Sequence, residues 1–327
     1  MTGAQGDAVR FSPAELADAL GLPAPTAEQA AVIAAPPGPL VVVAGAGAGK
    51  TETMAARVVW LVANGYATPD QVLGLTFTRK AAGQLLRRVR SRLGRLAGHL
   101  GHLSDGPMPD GHAADRGSPT VSTYHAFAGA LLREFGLLLP VEPDARLLGD
   151  TEMWQLAYDV VRRHPGPLPI DKTPAAVTAM VRRLHGELAE HLVGTADVLG
   201  THAELERLVL TLPPGPRQRD APNRRLLDLL DAQSQRSALV PLVDALIARM
   251  RADRVMDFGS QMSAAARLAA GHPEVGEQLR ERYRVVLLDE YQDTGHSQRI
   301  ALSALFGPRD GSSAGRALAL TAVGDPI

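Results

Sequence analysis

The sequence contains no cysteine, which excludes disulfides and thiolate metal sites and fits a reducing compartment. It has no apolar run approaching the roughly 20 residues of a membrane-spanning helix. Its first residues, MTGAQGDAVRFSPAELADAL, lack the apolar core of a signal peptide. A soluble, cytoplasmic protein with no membrane partner is therefore expected. The chain also lacks an excess of charge, since 34 Lys and Arg against 35 Asp and Glu leave a formal charge of −1. A generally basic coat is excluded, so any contact with nucleic acid has to be a local patch. Lysine itself is nearly missing: the cationic residues include only three, Lys50, Lys80 and Lys172. A chain this poor in lysine uses it where arginine's broad planar fork does not fit.

What is present is ordinary for a globular protein, and 327 residues suffice for two or three domains. Five short apolar runs read as buried strands: 40–43 (LVVV), 72–76 (VLGLT), 120–123 (TVST), 285–289 (VVLLD) and 318–323 (LALTAV). Runs of this kind suit a parallel sheet covered on both faces, and helical patterns between the first three argue for an α/β layer with right-handed crossovers. About 160 residues separate the third strand from the fourth, far more than an ordinary crossover. They hold helical patterns and no convincing strand. An all-helical domain inserted at 140–254 is expected, with the sheet domain made of 1–139 and 255–327. Ser12-Pro13-Ala14-Glu15 has the form of a capping box with proline at the first helical position. The segment 98–119 reads as a loop. Its His99, His102 and His112 suit a metal or, more simply, solvent.

The stretch LTFTRKAAGQLLRRVRSRLGR, residues 75–95, ends a strand and continues as a helix with seven cationic side chains and no acid from Arg79 to Arg95. Leu85, Leu86, Val89, Leu93 and Leu96 form its apolar stripe, which leaves much of the arginine outward. Those arginines fit a nucleic-acid patch and equally the solvated face of an amphipathic helix.

LVVVAGAGAGKTETMAARVV is a strand, a glycine-rich turn and a helix. Consecutive amides in such a turn form an anion nest at the positive end of the helix. Gly45, Gly47 and Gly49 permit close backbone approach, Lys50 reaches the β- and γ-phosphates, and Thr51 ligates Mg²⁺. The alternative is a glycine turn that merely caps a helix. VVLLDEYQDT ends another strand with Asp289 and Glu290. There an aspartate can hold Mg²⁺ and a glutamate can deprotonate an attacking water, with Gln292 and Asp293 just behind. The phosphate loop, Thr78-Arg79-Lys80, Tyr124-His125, the acidic pair and Gly324-Asp325 all follow strands. In an open parallel sheet those positions share the ligand-binding edge.

These residues resemble the N-terminal part of UvrD/Rep/PcrA-type superfamily I DNA helicases. AGAGAGKT, with Ala44 first, is similar to that family's phosphate loop. PTAEQAAVI is similar to its upstream glutamine motif, LTFTRKAA and STYHAF to its two single-strand-contact motifs, LLDEYQDT to its acidic motif, and AVGDPI to the start of the next. MDFGSQM, residues 256–262, resembles the point where the chain re-enters the core. The resemblance implies a RecA-like P-loop NTPase sheet carrying the helical insertion, and a translocase that unwinds duplex DNA 3′ to 5′ on single-stranded DNA with ATP and Mg²⁺. The ATP site it implies comprises Gln29 on the adenine edge, the loop Ala44, Gly45, Ala46, Gly47, Ala48, Gly49, Lys50 and Thr51, and Gln292. Lys50, Asp289 and Glu290 would be catalytic, with Thr51 and Asp289 on the metal. Phe77, Thr78, Lys80, Thr123, Tyr124 and His125 would meet DNA, although His125 equally suits a bond to a nearby carbonyl. Arg79 departs from the family, where asparagine is common. The sequence stops at Ile327, before the family's second RecA-like domain, so a nucleotide- and DNA-binding module without turnover is one alternative. The other is a subunit of a RecB-like or AdnB-like helicase–nuclease in double-strand-break repair, with a second subunit as partner.

Overall fold

The computed structural model of the chain describes residues 9–103, 117–139, 144–167, 170–213, 222–308 and 318–326, apart from the side chains of 100–103. His112 and Ile327 lie outside the described residues. Seven strands occur in them: β1 (Pro39–Val43), β2 (Val72–Thr76), β3 (Thr120–Thr123), β4 (Arg146–Leu147), β5 (Val255–Met256), β6 (Val285–Leu288) and β7 (Ala319–Gly324). Five form one parallel sheet in the order β1-β7-β6-β2-β3. The chain divides into two compact units. One comprises Met1–Phe127, Ala269–Thr294 and Leu302–Ile327; the other comprises Ala128–Leu268 and Gly295–Ala301.

The first unit holds the five-stranded sheet. β2 and β6 lie at its centre and are buried along their whole length, as their unbroken apolar runs require. β1 differs from the expected coverage on both faces. It is an edge strand, and Val41 and Val43 on one of its faces are 69% and 65% exposed. Gly74 in the middle of β2 lets Leu85 and Val121 pack close, since a Cβ there would stand 3.2 Å from Val121. The main core joins the helix Lys50–Ala63, the stripe Leu85, Val89 and Leu96, and the strands. Arg57 is buried in it: Nε donates to Thr321 Oγ1 at 2.9 Å, and Nη1 donates to the carbonyls of Val32, Ile33 and Ala35. Burial pulls its pKa down to about 10, and this set of acceptors compensates the desolvated charge. The capping box at Ser12 is formed in both directions, with proline at the head of the helix Pro13–Ala19.

The second unit is mainly helical, with a core of residues such as Ala157, Val181, Leu242 and Leu246 from the helices Asp150–Arg162, Pro174–His191 and Val240–Ala252. Its outline is broader than the 140–254 stretch that reads as helical. It also contains a feature that the sequence does not announce: β4 and β5 pair in parallel, Arg146 with Val255 and Leu147 with Met256. Two residues are too short for an alternation or an apolar run to show. The histidine-bearing segment is corrected at its start, because the helix that begins at Arg79 continues to Leu103 and includes the positions of His99 and His102.

Candidate functional site

β1 leads into the loop Ala44-Gly45-Ala46-Gly47-Ala48-Gly49. The Ala44 amide donates to Gly324 O at 3.1 Å, and the Ala48 amide to Gly45 O at 3.2 Å, which closes the turn. Gly47 and Gly49 have φ of +80° and +79°, a region open to glycine at no steric penalty. Gly49 caps the helix that begins at Lys50, with Thr51 in its first turn and no side chain bonded to the free amides. Such a terminus attracts anions. Lys50 Nζ donates to Ala44 O at 3.1 Å and is ion-paired with Asp325. The sequence placed Gly324-Asp325 at this edge without giving the carboxylate a role. Its partner follows from the sheet order, because β7 and β1 are neighbours and their ends coincide.

Gln29 lies against the same loop. Its Oε1 accepts from the Thr26 amide at 3.1 Å, and its Nε2 donates to Ala48 O at 3.2 Å. The amide is thus engaged within the chain, at the rim of a cleft lined also by Leu22, Pro25, Glu52 and Arg92.

The acidic pair stands at the end of β6. Asp289 is 6% exposed, and burial, reinforced by the charge of Glu290, raises its carboxyl above the usual range; the Glu290 amide and Lys50 oppose that rise. Glu290 adopts φ +52°, ψ +43°, a left-handed conformation that costs a non-glycine residue on the order of 1–2 kcal/mol. Gln292 ties the elements together: Nε2 donates to Glu290 Oε2 at 2.8 Å, and Oε1 accepts from the Asp325 amide at 3.0 Å. Lys50, Asp325, Gln292 and Glu290 therefore form one connected network. Thr76 Oγ1 is buried beside the Asp289 carboxyl, and its bond to that carboxyl also opposes the rise. A buried carboxylate with a hydroxyl oxygen beside it is the oxygen-donor chemistry that suits a hydrated Mg²⁺.

On the same edge, β2 and β3 end side by side, with Thr76 in register with Thr123. Thr78 Oγ1 accepts from the Ala81 amide at 3.1 Å and Thr123 Oγ1 from the Ala126 amide at 3.2 Å, so each threonine caps the helix that follows its strand. Thr78 and Lys80 are exposed, and Phe77 is half-buried. Tyr124 is turned inward, 2% exposed, with its hydroxyl donating to Asp289 O at 3.2 Å and its ring 4.9 Å from that of Phe77. Burial, then the charge of Asp289, pushes its pKa up. His125 is half-buried, and burial lowers its pKa.

The arginine helix needs a correction. Arg92 lies in the stripe Leu85, Val89, Leu96 rather than outside it, and is 7% exposed. It is bonded to Glu52 on the phosphate-loop helix, Arg88 lies 3.5 Å from the same carboxylate, and Arg95 donates to Leu20 O at 3.2 Å. Three of the arginines thus hold the first unit together. Arg87 remains exposed.

A mixed sheet-and-helix unit with a glycine-rich loop at one strand end and an acidic pair at another is a P-loop domain of RecA-like fold. A family model of the UvrD/REP helicase N-terminal domain matches residues 25–326, and the chain belongs to that family. It is 33% identical over 301 residues to ATP-dependent DNA helicase UvrD2 of Mycobacterium bovis, covering 91% of this chain and 36% of the relative. To ATP-dependent DNA helicase UvrD1 of Mycobacterium leprae the identity is 27% over 270 residues, 82% of this chain and 28% of the relative. To DNA helicase II of Rickettsia typhi it is 23% over 264 residues, 80% and 32%. The chain thus spans about a third of the length of these relatives.

Proposed function

We propose that this chain binds and hydrolyses ATP in the service of movement along single-stranded DNA, as a cytoplasmic helicase. In this reading 1–139 and 255–327 are the nucleotide-binding core and 140–254 is a helical insertion that faces DNA. The network joining Lys50, Asp325, Gln292 and Glu290 carries the reading, because it links a lysine suited to phosphate with a carboxylate suited to activating water.

The amides of Ala44 to Thr51 cradle the phosphates, and Lys50 exchanges Asp325 for a terminal phosphate oxygen. Thr51 and Asp289 are the residues that would hold Mg²⁺, which supplies neutralisation of phosphate charge when bound. Glu290 orients a water and accepts its proton as the water oxygen attacks the γ-phosphorus; the bond to ADP's oxygen breaks, leaving ADP and phosphate. Gln292 holds the Glu290 carboxylate during this step. Thr78 and Lys80 suit phosphates of a single strand and Phe77 a base face, beside the capped helix ends at Thr78 and Thr123.

ATP hydrolysis with and without an oligothymidine tests the reading. Glu290→Gln should abolish turnover while retaining nucleotide, and Lys80→Ala should raise the oligothymidine concentration needed for stimulation. Equal rates in wild type and Glu290→Gln would exclude it.

A further inference from the structure

We propose that Tyr124 is a positioning residue for Glu290, its hydroxyl fixing the peptide unit that aims the Glu290 carboxylate. The peptide between Asp289 and Glu290 is held at both polar ends. Its carbonyl accepts from Tyr124 Oη at 3.2 Å, and its N–H donates to Asp289 Oδ1 at 3.1 Å. Rotation of that peptide would change the φ of Glu290, which stands at +52° in a region an L-residue keeps only when its surroundings hold it there.

Tyr124 is built for the task. Its ring is 2% exposed and packs on Phe77 at 4.9 Å, so the hydroxyl is held in place rather than free to turn to water. Its partner lies 165 residues away, at the end of a different strand. A phenylalanine would fill the same space and leave the Asp289 carbonyl without its donor, and the Asp289–Glu290 peptide free to relax. Tyr124 thus serves the acidic turn from within, although its neighbours in sequence suit single-stranded DNA. The proposal rests on Glu290 being the base in the reaction proposed above.

The test compares the full 327-residue chain with Tyr124→Phe and Glu290→Gln, using single-turnover hydrolysis of radiolabelled Mg·ATP, Mg·ATP affinity and thermal midpoint. The hydrolysis rate of Tyr124→Phe should fall about tenfold, as for a reacting group displaced by a fraction of an ångström, while affinity and midpoint stay at wild-type values. An undiminished rate overturns the proposal and leaves Glu290 as the base. A lower rate accompanied by equal loss of affinity or of folded protein also overturns it, because the hydroxyl would then be merely structural. If wild type hydrolyses no faster than Glu290→Gln, the parent reading fails and this proposal falls with it.

Discussion

Lys50 is ion-paired with Asp325 at the point where β1 and β7 end together. The lysine is thereby held at the glycine-rich loop, and in the proposed reaction a triphosphate would displace a carboxylate to reach it. Asp325→Asn removes that competitor. ATP affinity measured by calorimetry should rise about fivefold, the scale of one partly exposed ion pair. Unchanged or weaker binding would show that the pair does not compete.

Gln292 bonds Glu290 with one end of its amide and the Asp325 backbone with the other. Gln292→Ala should lower the hydrolysis rate about tenfold by releasing the carboxylate, with ATP affinity within about twofold of wild type. Gln292→Glu places a like charge beside Glu290 and should be slower still. A rate unaffected by either change would separate Gln292 from the reaction.

Arg92 and Lys80 belong to one helix and should behave oppositely. Arg92→Ala removes the bonds to Glu52 and empties a buried position, so it should destabilise the fold by about 2–3 kcal/mol in urea titrations. It should leave the salt dependence of DNA binding unchanged. Lys80→Ala should cost no stability and reduce the salt slope of oligothymidine binding by about one. Fluorescence anisotropy at several salt concentrations distinguishes the two.

The strands were legible because an apolar run ending in glycine, threonine or acid is a local signal; β2, β3 and β6 fall within a residue of their expected limits. The strand-end edge was legible for the same reason. Partners were not. Arg92 sits at the 85, 89, 92, 96 spacing of a buried stripe, yet the carboxylate and backbone carbonyl of Glu52, 40 residues away in another helix, are what make burial there tolerable. The inward turn of Tyr124 depends on a carbonyl 165 residues distant. The segment from residue 98 reads as a loop, yet the helix that begins at Arg79 continues to Leu103.

Asp257 in the helical unit supplies a pH prediction. Burial alone would raise its carboxyl, but bonds from His185 and from Ser260, whose amide lies 2.8 Å away, outweigh that and bring it down to about 2. A carboxylate depressed below its unfolded value near 3.9 contributes stability that is present above that pH and lost as pH falls toward 2. Asp257→Asn should remove about 2 kcal/mol at neutral pH and flatten acid unfolding between about pH 4 and 2. A variant whose acid transition matches wild type would contradict this.

The central claim is that the loop ending in Lys50 and the turn bearing Asp289 and Glu290 act together on one nucleotide. Equilibrium titration with ATP, with and without Mg²⁺, in wild type, Lys50→Ala and Asp289→Asn tests it most directly. The account predicts Mg²⁺-dependent binding, weakened at least about tenfold by Lys50→Ala and stripped of its Mg²⁺ dependence by Asp289→Asn. Equal ATP binding by all three proteins, indifferent to Mg²⁺, would contradict it.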